Sequence, residues 1–294
     1  MAARDNCRWS VSRYERLDER ARTGHYAMVP VPNVPGKDEF ASIYSADDFV
    51  AHLRESGWDP GLIPAGVIFT YGGFDLLCSA QPDQYSMNPM LGPGPGRFFH
   101  VTSTDGRVAV CCLGIGAPAA VAQLEVLSSL GVRDFLSLGT AGGLGPEQAP
   151  GDVVVLTGAI RDEGSSYHYA APEAEVRPDA DLTVALAHAL ARSEMPHASG
   201  WTWTTDAPYR ETVEEIAEYR CRGVLTVEME ASALFAVARA RSVRLASAVV
   251  LDAVFREPIT APKMDTAAAF GKLYDLFLVG IGLLAAPGED DADR

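Results

Sequence analysis

Short apolar runs alternate along the chain with segments whose apolar residues recur at helical spacing. The short runs have the length and composition of strands, and the helical segments are bounded by capping or breaking residues. The predicted strands cover residues 65–70, both arms of a hairpin within 97–114, and residues 132–138, 152–160, 197–205, 223–228 and 243–252. The predicted helices cover residues 118–131, 179–193 and 229–240, and two more begin near Glu211 and Thr266.

This alternation is typical of an α/β domain. It predicts a largely parallel or mixed sheet covered by helices, and the absence of a linker in the central sequence favours a single domain over residues 41–286. Ligands of such sheets collect at the carboxyl ends of the strands. We therefore expect functional residues at three of these ends: residues 139–143, residues 228–230 and Asp252.

The two ends of the chain differ in composition from the central part. Residues 1–40 are rich in Arg and then in Pro, which predicts an extended N-terminal arm. Residues 287–294 are polar and acidic, and we expect them to form a disordered tail.

The charge and the cysteine pattern disfavour several classes of function. A formal net charge of −15 and a pI near 4.8 argue against binding to nucleic acid or to an anionic membrane. The chain has no uninterrupted run of about 18 apolar residues and no secretory signal, which predicts a cytoplasmic protein. Scattered cysteines and histidines without metal-binding spacing predict that no metal ion is bound.

A glycine-rich segment, GTAGG at residues 139–143, follows one predicted strand. It predicts a turn at which backbone N–H groups and the Thr140 hydroxyl could face an anion or a sugar. The segment matches neither the GxxxxGK[ST] phosphate loop nor the GxGxxG dinucleotide motif. By itself the segment leaves a structural turn and a ligand-binding turn equally open.

Glu228 and Glu230 stand where a strand gives way to a helix. Carboxylates in a first helical turn are favoured by the helix dipole, which is the purely structural interpretation. Residues two apart on a helix point in different directions, so both can face one ligand only if the helix begins between them. Because their surroundings are apolar, the two carboxylates need hydrogen-bond donors, and the vicinal hydroxyls of a ribose would supply two.

Asp252 ends one of the most apolar predicted strands. Burial there would raise the pKa of its carboxyl, which suits a general acid, although a helix cap or a turn would also explain an Asp. Two loops, at residues 161–175 and 202–212, are dense in aromatic side chains. Tyr209 in the second loop could stack on a base or simply pack.

Several segments taken together resemble one known family. They are GTAGGL, GDVVV, RDEGSSYHY, TTDAPYRET and VEMEASAL, followed by the strand that ends in Asp252. Between about residue 65 and about residue 284, the chain is similar to the nucleoside phosphorylase superfamily, in the branch of purine nucleoside phosphorylases, uridine phosphorylases and nucleosidases. The resemblance implies one three-layer α/β/α domain with a mixed, partly barrel-like sheet. It also implies a homodimer or a hexamer with sites at subunit interfaces.

The same resemblance implies how a nucleoside would be bound and cleaved. Met229 and Glu230 would hold the ribose hydroxyls, with Glu228 assisting. Asp252 matches the carboxyl that protonates a purine base, and Tyr209 lies in the segment that stacks on the base.

The resemblance also implies a phosphate site, but this chain departs from it. Thr140 and the amides of Ala141 and Gly142 match the hydroxyl and backbone part of that site, with phosphate as co-substrate and no cofactor. Family phosphorylases place an arginine where this chain has Ser137, and a second arginine is missing from the TYGGFDLLCS segment. Arg97 is the candidate for a third.

Two missing guanidinium groups weaken the case for phosphate, because each charge-assisted hydrogen bond contributes about 1.5–3 kcal/mol. Three interpretations stay open: phosphorolysis of a purine-type nucleoside, hydrolysis with water as the nucleophile, and a non-catalytic or repurposed nucleoside-binding protein. Thr212 and Glu214 stand where uridine phosphorylases carry a Gln and an Arg, which disfavours uridine.

Overall fold

The computed structural model describes residues 36–88 and 97–286. The expected arm over residues 1–40 therefore lies almost wholly outside the described residues, and the expected tail over residues 287–294 lies entirely outside them. The described part of the arm contains one short 3-10 helix, Lys37–Glu39.

The described residues form nine strands and seven α-helices. The strands are β1 Gly66–Tyr71, β2 Tyr85–Met87, β3 Arg97–Val101, β4 Val108–Leu113, β5 Asp134–Gly143, β6 Val153–Asp162, β7 His197–Thr205, β8 Thr226–Glu228 and β9 Arg244–Val254. The helices are α1 Ala46–Glu55, α2 Phe74–Ser79, α3 Ala117–Leu130, α4 Ala180–Arg192, α5 Val213–Cys221, α6 Ala231–Ala240 and α7 Thr266–Ala285.

All nine strands belong to one sheet with the order β2-β3-β4-β1-β5-β8-β7-β6-β9, and β9 also pairs with β5. The five strands from β5 to β9 therefore close into a ring, while β1 to β4 extend the sheet to one side. The strands β1 and β9 run parallel to β5, whereas β8 runs antiparallel to it. This arrangement confirms the mixed, partly barrel-like sheet.

Helices cover both faces of the sheet, because successive residues of each strand point to opposite sides. In β5, Phe135 belongs to a core cluster that includes α3 and α6, whereas Leu136 belongs to a second cluster that includes α4 and α7. Cys111 and Cys112 of β4 divide between the two clusters in the same way. The predicted α/β/α layers are confirmed.

Helix α7 is, within the described chain, the one helix long and apolar enough to cross a membrane by length and composition. It also carries Lys272 and Asp275, which form an ion pair. Its Leu273, Leu276 and Phe277 are buried in the core cluster beneath the sheet. These contacts are those of a core helix.

The main differences from the predicted elements lie near the strand ends. Strands β5 and β9 extend to Gly143 and Val254, beyond their predicted ends, and β8 is shorter than predicted. The sequence analysis missed α1, α2 and β2. Helix α1 begins with a capping box in which Ser45 and Asp48 exchange side-chain to backbone hydrogen bonds, a signal that the sequence carries.

We expect Phe277→Ala to lower the free energy of unfolding by about 3–5 kcal/mol, because it removes a fully buried ring that packs against Phe74. The matched control is Phe270→Ala in the same helix, where the ring is 40% exposed. Urea denaturation measures both variants. Equal losses in the two would contradict the assignment of α7 to the core.

Candidate active site

An interruption in the pairing of β5 opens a crevice in the sheet, and several of the predicted site residues lie beside it. Strand β1 pairs with β5 only as far as Ser137, and β8 pairs with it only from Gly142. Residues 138–141 therefore have no partner strand on this side in the described chain, although β9 pairs with them on the other side. We call residues 138–141 the open edge of β5. Open α/β sheets bind ligands at the carboxyl ends of parallel strands, where the order of the strands in the sheet reverses.

The prediction of a glycine turn at residues 139–143 is wrong, because these residues continue β5 and none of their glycines has a positive φ. Close packing explains the glycines instead. A Cβ at Gly139 would lie 3.0 Å from the Tyr71 ring, and a Cβ at Gly143 would lie 2.8 Å from Leu251. The segment thus presents an unpaired strand edge to the crevice.

Tyr71, the last residue of β1, reaches over this edge. Its hydroxyl forms a 2.8 Å hydrogen bond with the buried hydroxyl of Ser137. The Ser137 carbonyl in turn accepts a hydrogen bond from the Ser247 hydroxyl. Burial raises the pKa of the Tyr71 phenol well above its usual value, and the Glu230 carboxylate raises it further. The phenol therefore keeps its proton.

Glu228 is held by the protein on both of its carboxylate oxygens. Its Oε2 accepts from the N–H groups of Glu230 and Ala231 at 2.8 and 2.7 Å, and its Oε1 accepts from the Thr204 hydroxyl at 2.5 Å. Helix α6 begins at Ala231, so both glutamates precede the helix. Glu228 acts as a cap for α6 and orders the segment that carries Glu230.

Glu230 is 7% exposed, and its Oε1 accepts a 2.6 Å hydrogen bond from the N–H of Gly116, just before helix α3. Burial, followed by the nearby Glu228 carboxylate, raises the pKa of Glu230 to about 8. The donors around Glu228 favour its ionised form, so the proton that the pair retains belongs on Glu230. A ligand that donates hydroxyl hydrogen bonds would favour the ionised form of Glu230.

Asp252 stands at a β-bulge. Ala141 of β5 pairs with Leu251 and Gly142 pairs with Ala253, so Asp252 is the extra residue between them. A bulge redirects the side chain of the extra residue, which frees Asp252 from the regular alternation of β9. Burial raises the pKa of its carboxyl, and a hydrogen bond from the Thr140 hydroxyl opposes that shift.

The described residues supply no cation to these carboxylates. Arg97 lies two strands from Tyr71, at about 10 Å by strand spacing, and its guanidinium is 2.9 Å from the Asp75 carboxylate. Phe74, in the segment that lacks the second arginine, is buried in the core against α7. Within the described part of the chain, no three His, Cys, Asp or Glu side chains are grouped to hold a metal ion.

Two other predicted residues lie at the periphery. Tyr209 is 98% exposed, so its ring has no packing role in the described chain. Met229 is partly exposed between the two buried glutamates. The loop that follows β6 is ordered by Arg161. The Arg161 guanidinium donates hydrogen bonds to three backbone carbonyls of this loop and stacks on the Tyr167 ring.

The sequence analysis missed three residues that shape the crevice: Tyr71, Gly116 and Thr204. Tyr71 directly precedes two glycines, and Gly116 lies two residues before the predicted helix, so each stands at a strand-to-helix connection where sites form. Thr204 carries no local signal, because its role as donor to Glu228 depends on the pairing of β7 with β8.

The fold and the crevice define an α/β protein with buried carboxylates gathered near the strand ends. Residues 72–272 match the family model described as the phosphorylase superfamily, and the chain belongs to that superfamily. The matched region contains Ser137, Glu230 and Asp252. The predicted family is confirmed.

Known relatives include two kinds of phosphorylase. The chain is 36% identical over 151 residues to a guanosine phosphorylase of Halorubrum lacusprofundi. This match covers 51% of this chain and 63% of the relative. It is 34% identical over 161 residues to a uridine phosphorylase of Treponema pallidum, with coverage of 51% and 62%, and 32% identical over 155 residues to that of Escherichia coli, with coverage of 48% and 61%. The chain thus spans 61–63% of the length of these relatives.

We expect Glu230→Gln to stabilise the unliganded protein, and increasingly so as the pH rises from 5 to 8. The folded-state pKa of Glu230 lies near 8 and the ordinary value is 4.5, so over that range the unfolded chain releases a proton that the folded protein keeps, and the free energy of unfolding falls as the pH rises. The gain at pH 8 should be on the order of 4 kcal/mol, since each unit of pKa difference is worth about 1.4 kcal/mol.

Urea denaturation at several pH values measures this gain, with Glu147→Gln at an exposed position as the control. A gain that is independent of pH, or a loss at pH 8, would show that Glu230 is already ionised at pH 5 in the folded protein.

Proposed function

We propose that the protein cleaves the N-ribosidic bond of a nucleoside, with a purine-type base favoured, by phosphorolysis. The observation that carries this proposal is the crevice of a phosphorylase superfamily fold, where Glu230 and Asp252 flank an open strand edge lined with hydroxyls. The relatives that act on guanosine and on uridine support a nucleoside substrate.

The residues of the crevice fit the steps of this reaction. Glu230 accepts hydrogen bonds from the ribose hydroxyls. Asp252, whose pKa is raised by burial, donates a proton to the base as the C1′–N bond breaks and its electron pair moves to the base. A phosphate oxygen forms the new bond to C1′, and the phosphate O–H returns a proton to Asp252. The products are the free base and ribose 1-phosphate.

A purine base is favoured over uracil by the residues after Tyr209. The Thr212 side chain forms a reciprocal capping box with Glu215 at the start of helix α5, and the neighbouring Glu214 is exposed. These side chains serve the helix, so they are not positioned as a Gln and Arg pair that reads uracil.

Hydrolysis is the second candidate. It is favoured by the hydrogen-bonded hydroxyls of Tyr71 and Ser137, which stand at the open edge of β5 without a nearby cation among the described residues. Water is an uncharged nucleophile and needs no guanidinium group.

The remaining expectations are part of the same proposal. We propose that the protein acts in the cytoplasm on small molecules, without a cofactor or metal ion and without nucleic acid or membrane partners. We also propose a homodimer or hexamer with sites at subunit interfaces. Exposed apolar side chains near the crevice, including Leu76, Ile115 and Tyr209, support the interface. Analytical ultracentrifugation tests it.

The reaction is tested by incubating purine and pyrimidine nucleosides with the protein, with and without phosphate, and measuring free base and ribose 1-phosphate. We expect base release with guanosine or inosine that requires phosphate. Equal rates without phosphate would establish hydrolysis instead, and no release from any nucleoside would contradict both forms of cleavage.

We expect Asp252→Asn to lower the rate of base release by at least about 100-fold, because the amide cannot donate the proton of a general acid. The variant should still bind nucleoside with nearly native affinity. Asp181→Asn, at an exposed position in helix α4, is the control. Turnover by Asp252→Asn within about threefold of native would exclude Asp252 as the acid.

A further inference from the structure

The Tyr71 and Ser137 hydroxyls have more hydrogen-bonding capacity than the protein uses. Each hydroxyl carries one hydrogen, and the single 2.8 Å bond between them consumes only one of the two. Among the described residues, neither side chain makes a second side-chain hydrogen bond. One O–H therefore has no protein acceptor among the described residues and is available to donate to a ligand.

The Tyr71 ring is held in one place by the strand beneath it. Strand β1 continues to Tyr71 but stops pairing with β5 at Phe69 and Ser137, so Tyr71 covers the open edge itself. The ring lies so close to Gly139 that a Cβ there would be 3.0 Å from it. This close approach holds the ring, and the hydrogen bond with Ser137 holds the hydroxyl.

The fixed hydroxyl lies close to one of the carboxylates assigned to the site. The Glu230 carboxylate, which binds ribose in the proposed function, is near enough to Tyr71 to influence its phenol. Ser137 belongs to the same strand as Thr140, which contacts Asp252. The hydroxyl pair thus stands next to the group assigned to the sugar, and Ser137 lies on the strand whose Thr140 contacts the group assigned to the base.

We propose that Tyr71 is a further substrate-contacting residue whose hydroxyl, positioned by Ser137, donates the hydrogen bond that places the attacking oxygen at C1′. This inference rests on the proposed cleavage of a nucleoside. An uncharged donor serves water as well as phosphate, and it binds phosphate more weakly than a guanidinium group does. The pair accordingly decides how strongly the reaction depends on phosphate.

Tyr71→Phe tests the contact while keeping the ring on Gly139. We expect kcat to fall about tenfold or more and the KM for the nucleoside to stay within about twofold, because the lost bond goes to the nucleophile. If phosphate is the nucleophile, its dissociation constant, measured by calorimetric titration, should also rise about tenfold. The matched control is Tyr85→Phe, a buried tyrosine in the other core cluster.

Ser137 is a positioning residue, and its variants need a readout that a general loss of stability would not move. We expect Ser137→Ala to lower kcat with the nucleoside KM unchanged, and the double variant to be no slower than Tyr71→Phe alone, because both changes act on one hydrogen bond. Ser137→Thr, which keeps the hydroxyl, should restore activity. Ser128→Ala, at another buried serine, is the control.

The outcomes separate this inference from the proposed function. If Tyr71→Phe keeps kcat and phosphate affinity within about twofold of native, the inference is overturned while nucleoside cleavage stands. If the native protein releases no base, cleavage fails, and the phosphate titration still decides: equal binding by native and Tyr71→Phe protein, or none by either, overturns the inference. Should Tyr71→Phe fail to fold, Ser137→Ala and Ser137→Thr supply the same comparison.

Discussion

The capping of helix α6 by Glu228 is the interaction on which the site depends. One carboxylate oxygen binds the first N–H groups of the helix and the other binds Thr204 of β7, so a single side chain joins the helix to the sheet. Glu230 lies within this short connection, and its direction follows from how Glu228 is held. The Gly116 amide then binds Glu230 from the far side of the crevice. The two glutamates thereby link helix α6, strand β7 and the start of helix α3, and these elements surround the Glu230 carboxylate.

The second constraint is electrostatic. Glu228 and Glu230 are buried close to one another, and the described residues pair neither of them with a cation. Burial raises the pKa of both carboxyls, but backbone and hydroxyl donors oppose the shift at Glu228 more than at Glu230, where the Glu228 carboxylate adds to it. In the proposed function, a bound sugar supplies the donors that Glu230 lacks, and it would relieve the cost of burying this carboxyl. Buried carboxyls with raised pKa values are common where side chains are arranged for a ligand rather than for stability.

The sequence predicted much of this arrangement, and its failures have physical causes. The alternation of apolar runs predicted the sheet and both helical layers, and the apolar setting of Glu228, Glu230 and Asp252 singled them out as carboxylates that need partners. The glycine segment was misread as a turn, because positive φ and close packing both select glycine and a single sequence cannot separate them. The roles of Glu228 and Glu230 differ because helix α6 begins after both, a boundary that the pattern of apolar residues does not define.

By itself, the sequence determined the class of fold through its periodicity, and it indicated the family through the resemblance of several short segments. It also singled out three strand ends as candidate positions, because their residue types are local in the chain. Tertiary structure decided which groups meet there. Tyr71 and Ser137 are 66 positions apart and Gly116 and Glu230 are 114 apart, and only the pairing of strands brings each pair into hydrogen-bonding distance. The bulge at Asp252 likewise arises from the register between β5 and β9. Contacts between distant residues depend on register, and register is a property of the whole sheet.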